Sequence, residues 1–465
     1  MLAPPWMPDL TGLEGPKYRQ LVTAIENAIE DGALAPGQKL PPVRDLAWDM
    51  KVTPGTVARA YREATDAGLL EAHVGQGTFV RAIRETGTTI PLHGLTNPAE
   101  VGEIDLRNSR SPLVGQEGAL DAALQRVIAD GSHLLDDYTR AQNDLRARMA
   151  MLHWLESGGV TAHVDDIVLT YGAQNAILAA LLAVTRGHRP QIIVSELMYP
   201  GFQQAARVAG AELLTVPSDA QGVTAEGIAA MCQTQRPQAI LLAANLHNPT
   251  LATMSLERRE AIAEVARTHN LQIIEDDVYG WLEEERLPSF TELAPERTWY
   301  ATSLSKCVAA GLRFGLLLTP PGEGARGQGF IQAMTYRVSS LISSTAAELI
   351  ESGEAARIRT RAIAHMRRRN DRVRAVLGQW DVVSRGAANF FWLPLPPGWN
   401  ITSFDRACIS RDIRLSTGAA YVLPGHPAPN AVRVALGMGL SDGKFDAVLE
   451  DLARLLAAPP TELIA

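Results

Sequence analysis

One lysine, Lys306 in the stretch "TSLSKCVAAGLRFG", directly follows an apolar run and precedes Arg313. A lysine amine in such a position can form a Schiff base with a carbonyl compound. Polar or aromatic groups also follow other apolar runs. They are Ala173 and Gln174 in "LTYGAQN", Tyr199 in "SELMYPGF", Asn248 in "NLHNPT", Asp276 and Tyr279 in "IIEDDVYG", and Ser303 and Ser305 beside the lysine. Together they suit one ligand with an aldehyde, a flat ring and a phosphate, which is pyridoxal 5'-phosphate (PLP).

The phosphate end of this ligand has five candidate partners. Gly172 turns a predicted strand into a predicted helix, which exposes the N–H groups of Ala173 and Gln174. A helix N-terminus of this kind binds phosphate. The hydroxyls of Ser303 and Ser305 and the guanidinium of Arg313 would complete the phosphate site.

The ring end has the remaining candidates. Tyr199 would cover the ring, and Asp276 would keep the pyridine nitrogen protonated. Asn248 and Tyr279 would donate to the phenolate oxygen. Lys306 would hold the aldehyde as a Schiff base.

Each residue alone has a simpler explanation. Glycine before a helix is common, a lone tyrosine such as Tyr199 is usually part of a core, and most lysines are solvated surface charges. The ordered occurrence of the whole set at strand ends favours the cofactor.

The apolar runs before these residues are predicted strands of one α/β sheet. They are "DIVLT", "QIIVSE", "AILLAAN", "LQIIED", "TWYATS" and "FGLLLT", with amphipathic stretches between several of them. Such alternation is typical of a sheet covered by helices, with the chemistry at strand ends and in the loops that follow.

From about Ile104 to Leu455 the sequence resembles the fold-type I PLP-dependent aminotransferases. The resemblance implies a mainly parallel sheet and a small C-terminal α+β subdomain, and we assign this domain to residues 104–463.

The resemblance also implies that Tyr138 reaches the cofactor phosphate of a neighbouring subunit, so that the site requires a homodimer. It further implies that Arg433 in "AVRVALG" binds a substrate carboxylate, the alternative being a surface arginine. The sequence departs from the family pattern at Leu251, where a glycine usually follows "NPT".

The first 81 residues predict a different unit. A helix with Tyr18, Leu21, Ile25 and Ile29 on one face is followed by a second helix from Pro41 or Pro42. A third begins with Thr53 as N-cap and buries Val57, Ala60, Tyr61 and Ala64. Two short strands in "LLEAHVGQGTFV" then complete a winged helix-turn-helix. A small helical interaction module is the alternative.

Residues 32–80 resemble the GntR-type DNA-binding domain, and we assign this domain to residues 12–81. The resemblance implies DNA contacts by Arg44, Thr56, Arg59 and the wing at Gly77. The net charge of the chain is −8, so attraction to DNA must come from a local patch. Between positions 39 and 62, Lys39, Arg44, Lys51, Arg59 and Arg62 outnumber Asp45 and Asp49.

Residues 82–103 are rich in Gly, Thr, Pro and Asn and predict a linker.

The three cysteines have no metal-like spacing, which predicts reduced thiols and no metal site. We found no signal peptide, and the longest apolar run is too short to span a bilayer. We therefore expect a cytoplasmic protein without a membrane partner. The arginine-dense stretch from Arg357 to Val376 could bind DNA phosphates, but a solvated helix face is the favoured interpretation.

A winged helix joined to an aminotransferase-like domain resembles the MocR subfamily of GntR regulators. The resemblance implies a PLP-dependent transcriptional regulator that binds a double-stranded DNA operator and senses a small amine or amino acid. A catalytically active aminotransferase with an appended DNA-binding domain is the second hypothesis. A PLP-free scaffold is the third, which the complete set of cofactor residues disfavours.

Overall fold

The computed structural model describes residues 6–11, 15–30, 33–35, 37–66, 69–73, 77–80, 103–131, 134, 141–283, 285–436 and 439–459. The chain divides into two compact units, Met1–Leu92 and His93–Ala465. The predicted linker, apart from residue 103, lies outside the described residues. No described helix is long and apolar enough to cross a membrane.

The smaller unit contains three described helices and a β-hairpin. These elements are α1 (Lys17–Glu30), α2 (Val43–Asp49), α3 (Pro54–Asp66), β1 (Leu70–His73) and β2 (Gly77–Val80). The two strands pair antiparallel. The predicted face of α3 is buried against α1 and α2, which confirms the winged helix-turn-helix.

The start of α3 follows from its sequence. Pro54 is the first helical residue, where its missing N–H costs no hydrogen bond. The side-chain oxygen of Thr53 accepts from the backbone N–H of Thr56 at 3.3 Å, as the N-cap prediction requires.

The larger unit alternates strands and helices. Its helices are α4 (Glu117–Ala129), α5 (Ala141–Ser157), α6 (Ala173–Val184), α7 (Pro200–Val208), α8 (Ala225–Thr234), α9 (Leu256–Thr268), α10 (Phe290–Leu293), α11 (Gly324–Thr335), α12 (Ser340–Glu351), α13 (Glu354–Leu377), α14 (Ile401–Ile409) and α15 (Asp442–Ala457). Its strands are β3 (Ile104–Asp105), β4 (Ile167–Thr170), β5 (Gln191–Ser195), β6 (Glu212–Val216), β7 (Ser218–Asp219), β8 (Gly222–Val223), β9 (Pro237–Leu242), β10 (Gln272–Asp276), β11 (Thr298–Ser303), β12 (Gly315–Leu318), β13 (Phe390–Pro394), β14 (Ile413–Arg414), β15 (Ser416–Thr417) and β16 (Ala431–Ala435).

Seven strands form the central sheet in the order β4, β12, β11, β10, β9, β5 and β6. Only β12 runs against the others, so the sheet is mainly parallel. All six predicted strands belong to it. The strand that sequence analysis did not predict is β6, an edge strand whose residues are mostly half-buried and therefore give a weaker apolar signal.

Both faces of this sheet are buried, which explains the continuous apolar runs. Successive residues along a strand point to opposite faces. Ile192 and Val194 accordingly pack in the core that contains α6, whereas Ile193 packs in the core that contains α8 and α9. Ile273 and Ile274 divide between the same two cores. The sheet is thereby held between two helical layers.

The C-terminal part contains a smaller sheet. Strands β13, β16 and β15 pair antiparallel, and β14 pairs with β3 from the start of this unit. Helix α13 contains the arginine-dense stretch and buries Ile358, Ala362, Met366 and Val373 on its inner face. Several of its arginines pair with acidic neighbours, as Arg372 does with Asp446 at 2.8 Å.

Candidate cofactor and DNA sites

One cavity lies at the carboxyl ends of the parallel strands and receives residues from the loops that follow them. Its lining includes all the described residues that sequence analysis proposed for the cofactor: Ala173, Gln174, Tyr199, Asn248, Asp276, Tyr279, Ser303, Ser305, Lys306 and Arg313. Crevices of this kind are where open α/β sheets bind ligands. We call it the Lys306 cavity. Tyr138, the remaining cofactor candidate, lies outside the described residues.

One end of the Lys306 cavity collects hydrogen-bond donors. Gly172 has a φ of 81° and precedes α6, so the first N–H groups of the helix are exposed there. A Cβ on Gly172 would lie 3.2 Å from the Arg313 guanidinium, so a side chain at position 172 would crowd it. The buried Oγ of Ser305 has no hydrogen-bond partner among the described residues. These donors suit a phosphate group.

Asp276 is the last residue of β10 and is buried in the Lys306 cavity. Burial, together with the neighbouring Asp277 carboxylate, raises its pKa to about 7, against the opposing effects of the Val278 N–H and Lys306. Its Oδ1 has no hydrogen-bond partner in the described part of the chain. A buried carboxylate in this state gains from a protonated ring nitrogen in the same cavity.

The carboxylate of the adjacent Asp277, unlike Oδ1 of Asp276, is surrounded by hydrogen-bond donors. Its carboxylate accepts hydrogen bonds from Arg286, from the Tyr300 hydroxyl at 2.6 Å and from Asn245 at 2.8 Å. The sequence pattern points to Asp276 and predicts no role for Asp277. The paired Asp277 anchors the strand end, and Asp276 is left facing the cavity.

Lys306 is held by a residue that sequence analysis missed. Its Nζ donates to the backbone oxygen of Ser109 at 2.7 Å and lies 5.5 Å from the ring centroid of Tyr279. The hydroxyls of Ser109 and Tyr279 are 2.6 Å apart. Ser109 thus contacts both Lys306 and Tyr279, although it belongs to an irregular segment far away in sequence.

Arg433 lies in β16 and is buried, so it is not a surface arginine. Its Nη1 donates to Oδ1 of Asn248 at 3.0 Å, and its Nη2 donates to the backbone oxygen of Arg107. The guanidinium carbon lies 5.0 Å from the ring centroid of Phe390. Its Nε has no partner among the described residues. A buried guanidinium with a spare donor, next to a residue that lines the cavity, suits an anionic ligand group.

The loop that carries Asn248 contains two further features. His247 also lines the cavity, and burial lowers its pKa to about 4, so the imidazole is neutral and its Nδ1 lies 2.9 Å from the Thr250 hydroxyl. Leu251, which replaces the usual glycine of the resembled family, is buried and has a φ of 59°. The loop therefore keeps a left-handed backbone at this position without glycine.

The four DNA candidates lie in the smaller unit. Arg44 is exposed on α2. The guanidinium of Arg59 lies 3.8 Å from the ring centroid of Tyr18 and donates to its hydroxyl at 3.1 Å. Thr56 is half-buried at the start of α3. Gly77 is exposed with a φ of 120°, a conformation that favours glycine.

A side chain at Gly77 would also collide with a neighbour, because its Cβ would lie 2.7 Å from Cε of Lys39. Glycine at this position therefore leaves room for the lysine next to the wing. The turn between β1 and β2, residues 74–76, lies outside the described residues.

Comparison with protein families gives two matches. Residues 109–452 match the aminotransferase class I and II family, and residues 17–80 match the family of bacterial regulatory proteins described as gntR.

Similarity over nearly the whole chain extends to proteins named as HTH-type transcriptional regulators. The chain is 27% identical to the uncharacterized HTH-type transcriptional regulator YdeF of Bacillus subtilis, over 97% of this chain and 96% of that protein. It is 25% identical to the HTH-type transcriptional regulator TauR of Rhodobacter capsulatus, over 95% of this chain and 96% of that protein.

Among solved structures, the α-aminoadipate aminotransferase LysN of Thermus thermophilus, in complex with N-(5'-phosphopyridoxyl)-L-leucine, superposes with a TM-score of 0.68. The two sequences are 21% identical, and the match covers 77% of this chain and 92% of that chain. At this identity the likeness establishes the fold of the larger unit.

Proposed function

Because the chain belongs to the aminotransferase class I and II family and, through its GntR domain, to the MocR subfamily of GntR regulators, we propose that it is a PLP-dependent transcriptional regulator. Its winged helix binds an operator, and its larger domain senses a small amine or amino acid through Lys306, the Schiff-base lysine. As a DNA-binding protein it acts in the cytoplasm.

The observation that carries this proposal is the convergence of distant residues on the Lys306 cavity. The amine of Lys306, the carboxylate of Asp276 and the buried hydroxyl of Ser305 line one space, and Oδ1 of Asp276 has no hydrogen-bond partner among the described residues. PLP has one group for each of them, namely an aldehyde, a ring nitrogen and a phosphate. When bound, PLP supplies an aldehyde that captures amines and a ring that accepts electrons.

The residues of this chain then have separate tasks. Lys306 Nζ would be the nucleophile towards the aldehyde, and Asp276 would hold a proton at the ring nitrogen. Asn248 and Tyr279 would donate to the phenolate oxygen, and Tyr199 would cover the ring. The residues at the start of α6 bind the phosphate together with Ser303, Ser305 and Arg313.

Arg433 selects the effector in this proposal. Its spare Nε donor supports binding of an anionic group, so the favoured effector carries both an amine and a carboxylate or sulfonate. An effector amine would compete with the Lys306 amine for the aldehyde that PLP supplies. Regulation requires only that the effector binds two conformations of the protein with different affinity.

We also propose a homodimer. The supporting argument is that the two winged helices of a dimer can bind two half-sites of an operator. The spacing of the half-sites then depends on the dimer geometry. Tyr138 of each subunit would reach the phosphate site of the other.

A catalytically active aminotransferase is the second candidate, favoured by the completeness of the lysine, carboxylate and arginine set. The two candidates are separated by mixing the PLP-loaded protein with amines and a keto acid. A spectral change without sustained turnover, together with salt-sensitive binding to the DNA upstream of its own coding region, supports the regulator. Many turnovers per subunit without DNA binding would overturn it.

A further inference from the structure

Residues 103–111, which we call the crossing segment, begin at the last residue of the predicted linker and run past Lys306 and Tyr279, two residues that line the Lys306 cavity. Their beginning is fastened to the C-terminal subdomain. Strand β3 pairs with β14, the Leu106 N–H donates to the Arg414 backbone oxygen at 2.7 Å, and the Glu103 carboxylate pairs with the Arg414 guanidinium. The segment is thus part of the folded domain at the point where the linker joins it.

The middle of the crossing segment accepts hydrogen bonds from Lys306 and Arg433, two of the three cationic side chains of the proposed site. Arg433 donates to the backbone oxygen of Arg107, and Lys306 Nζ donates to that of Ser109 at 2.7 Å. The Ser109 hydroxyl also contacts the Tyr279 hydroxyl at 2.6 Å. The backbone carbonyls of residues 107 and 109 therefore contact the two side chains that an amino-acid effector and the cofactor need.

The end of the crossing segment is fastened to the backbone around Lys306. Nδ2 of the buried Asn389 donates to the backbone oxygens of Arg110 at 2.9 Å and Lys306 at 3.1 Å. The Ala310 N–H donates to the Ser111 hydroxyl at 3.2 Å. A shift of the backbone at Lys306 or Ala310 is therefore transmitted to the crossing segment through these hydrogen bonds.

We propose that the crossing segment couples ligand binding in the Lys306 cavity to DNA binding by the N-terminal domain. A covalent bond at Lys306 Nζ removes N–H donors that Ser109 uses, and an anion at Arg433 competes with the Arg107 carbonyl for the same guanidinium. Bonding of PLP to Lys306 thereby weakens the hold on residue 109, and binding of an effector anion at Arg433 weakens the hold on residue 107. Because the linker ends at residue 103, the first residue of this segment, the linker's attachment point becomes looser when the site is filled. This inference rests on the proposed function and specifies how that site regulates DNA binding.

Hydrogen–deuterium exchange of the full chain, with PLP as the probe, tests the first half of the inference. We expect amides of residues 104–111 to exchange at least threefold faster in the PLP-loaded protein than in the cofactor-free protein. In Lys306→Ala, which lacks the bond to Ser109, they should exchange fast without PLP. Equal or slower exchange in the PLP-loaded protein would overturn the inference.

The second half is tested by affinity for the DNA upstream of the coding region, measured with and without PLP. Glu103→Gln removes the charge that pairs with Arg414 but leaves the Lys306 cavity intact. We expect it to bind PLP within about twofold of the parent but to lose most of the change in DNA affinity that PLP causes. Asp219→Asn is the matched control, since it weakens the Asp219–Arg258 pair, 2.7 Å long, which contributes nothing to the crossing segment.

The outcomes separate the two proposals. A parent protein that forms no bond between PLP and Lys306 contradicts the proposed function and this inference with it. A parent that binds PLP and DNA normally, with Glu103→Gln and Asp219→Asn responding alike, contradicts the inference alone.

Discussion

Nη1 of Arg433 lies 3.0 Å from Oδ1 of Asn248, although the two residues are 185 positions apart in the sequence. The contact joins β16 of the C-terminal subdomain to the loop after β9. It places Arg433, the proposed anion-binding residue, next to Asn248, which is proposed to donate to the cofactor. The charged group of an effector would therefore bind close to the cofactor.

Replacement of Arg433 should therefore separate effectors by charge. We expect Arg433→Leu to weaken binding of an amino acid by roughly tenfold to a hundredfold, because a charge-assisted hydrogen bond contributes about 1.5–3 kcal/mol. Binding of a simple alkylamine should change little. Spectral titration of the PLP-loaded variant with L-alanine and ethylamine measures both, and equal losses for the two ligands would argue against an anion-binding role.

Asp276 predicts a specific pH dependence of stability. Its pKa is about 7 in the folded chain against an ordinary value of 3.8, chiefly because it is buried. Below pH 4 the carboxyl is protonated in both folded and unfolded chains. As the pH rises towards 7, the unfolded chain loses the proton and the folded chain retains it, so the folded state loses up to about 4 kcal/mol.

Asp276→Asn removes this titration while keeping the shape. In cofactor-free protein we expect the melting temperatures of variant and parent to agree near pH 4 and the variant to melt higher at pH 8. Thermal melts across this range provide the measurement. A difference that stays constant with pH would show that Asp276 is not the group responsible.

The proposed DNA face predicts a salt-dependent effect. Arg44→Ala and Arg59→Ala should each weaken operator binding and reduce the slope of log affinity against log salt by about one, since each arginine is expected to neutralise one phosphate. Arg406→Ala removes the same charge from the exposed side of α14 in the larger unit and serves as control. Binding isotherms at several salt concentrations measure the slope; unchanged slopes in both variants would place the DNA elsewhere.

The residues that could be predicted from sequence are those that follow strands. Buried parallel strands give continuous apolar runs, and their carboxyl ends lie together, so the sequence predicts that Asp276 and Lys306 converge. The winged helix is equally predictable, because apolar spacing marks its helices and the Thr53 N-cap marks the start of α3. Strand β6 was missed because an edge strand is only half-buried.

Ser109 and His247 could not have been found in this way. Ser109 reaches Lys306 from an irregular segment, which has no periodicity that fixes where its backbone lies. His247 is next to Asn248, but the burial that lowers its pKa depends on the packing around the loop. The contact between Arg433 and Asn248 likewise depends on how the C-terminal subdomain packs against the central sheet.

The most direct test of the account is to locate the covalent attachment of PLP. The full-length protein is incubated with PLP, reduced with borohydride, digested and analysed by peptide mass spectrometry. We expect one stoichiometric phosphopyridoxyl adduct per chain on Lys306, which pre-incubation with a competing amine reduces and Lys306→Ala abolishes. A stoichiometric adduct on another lysine, or the same labelling in Lys306→Ala, would contradict the proposed sensor site.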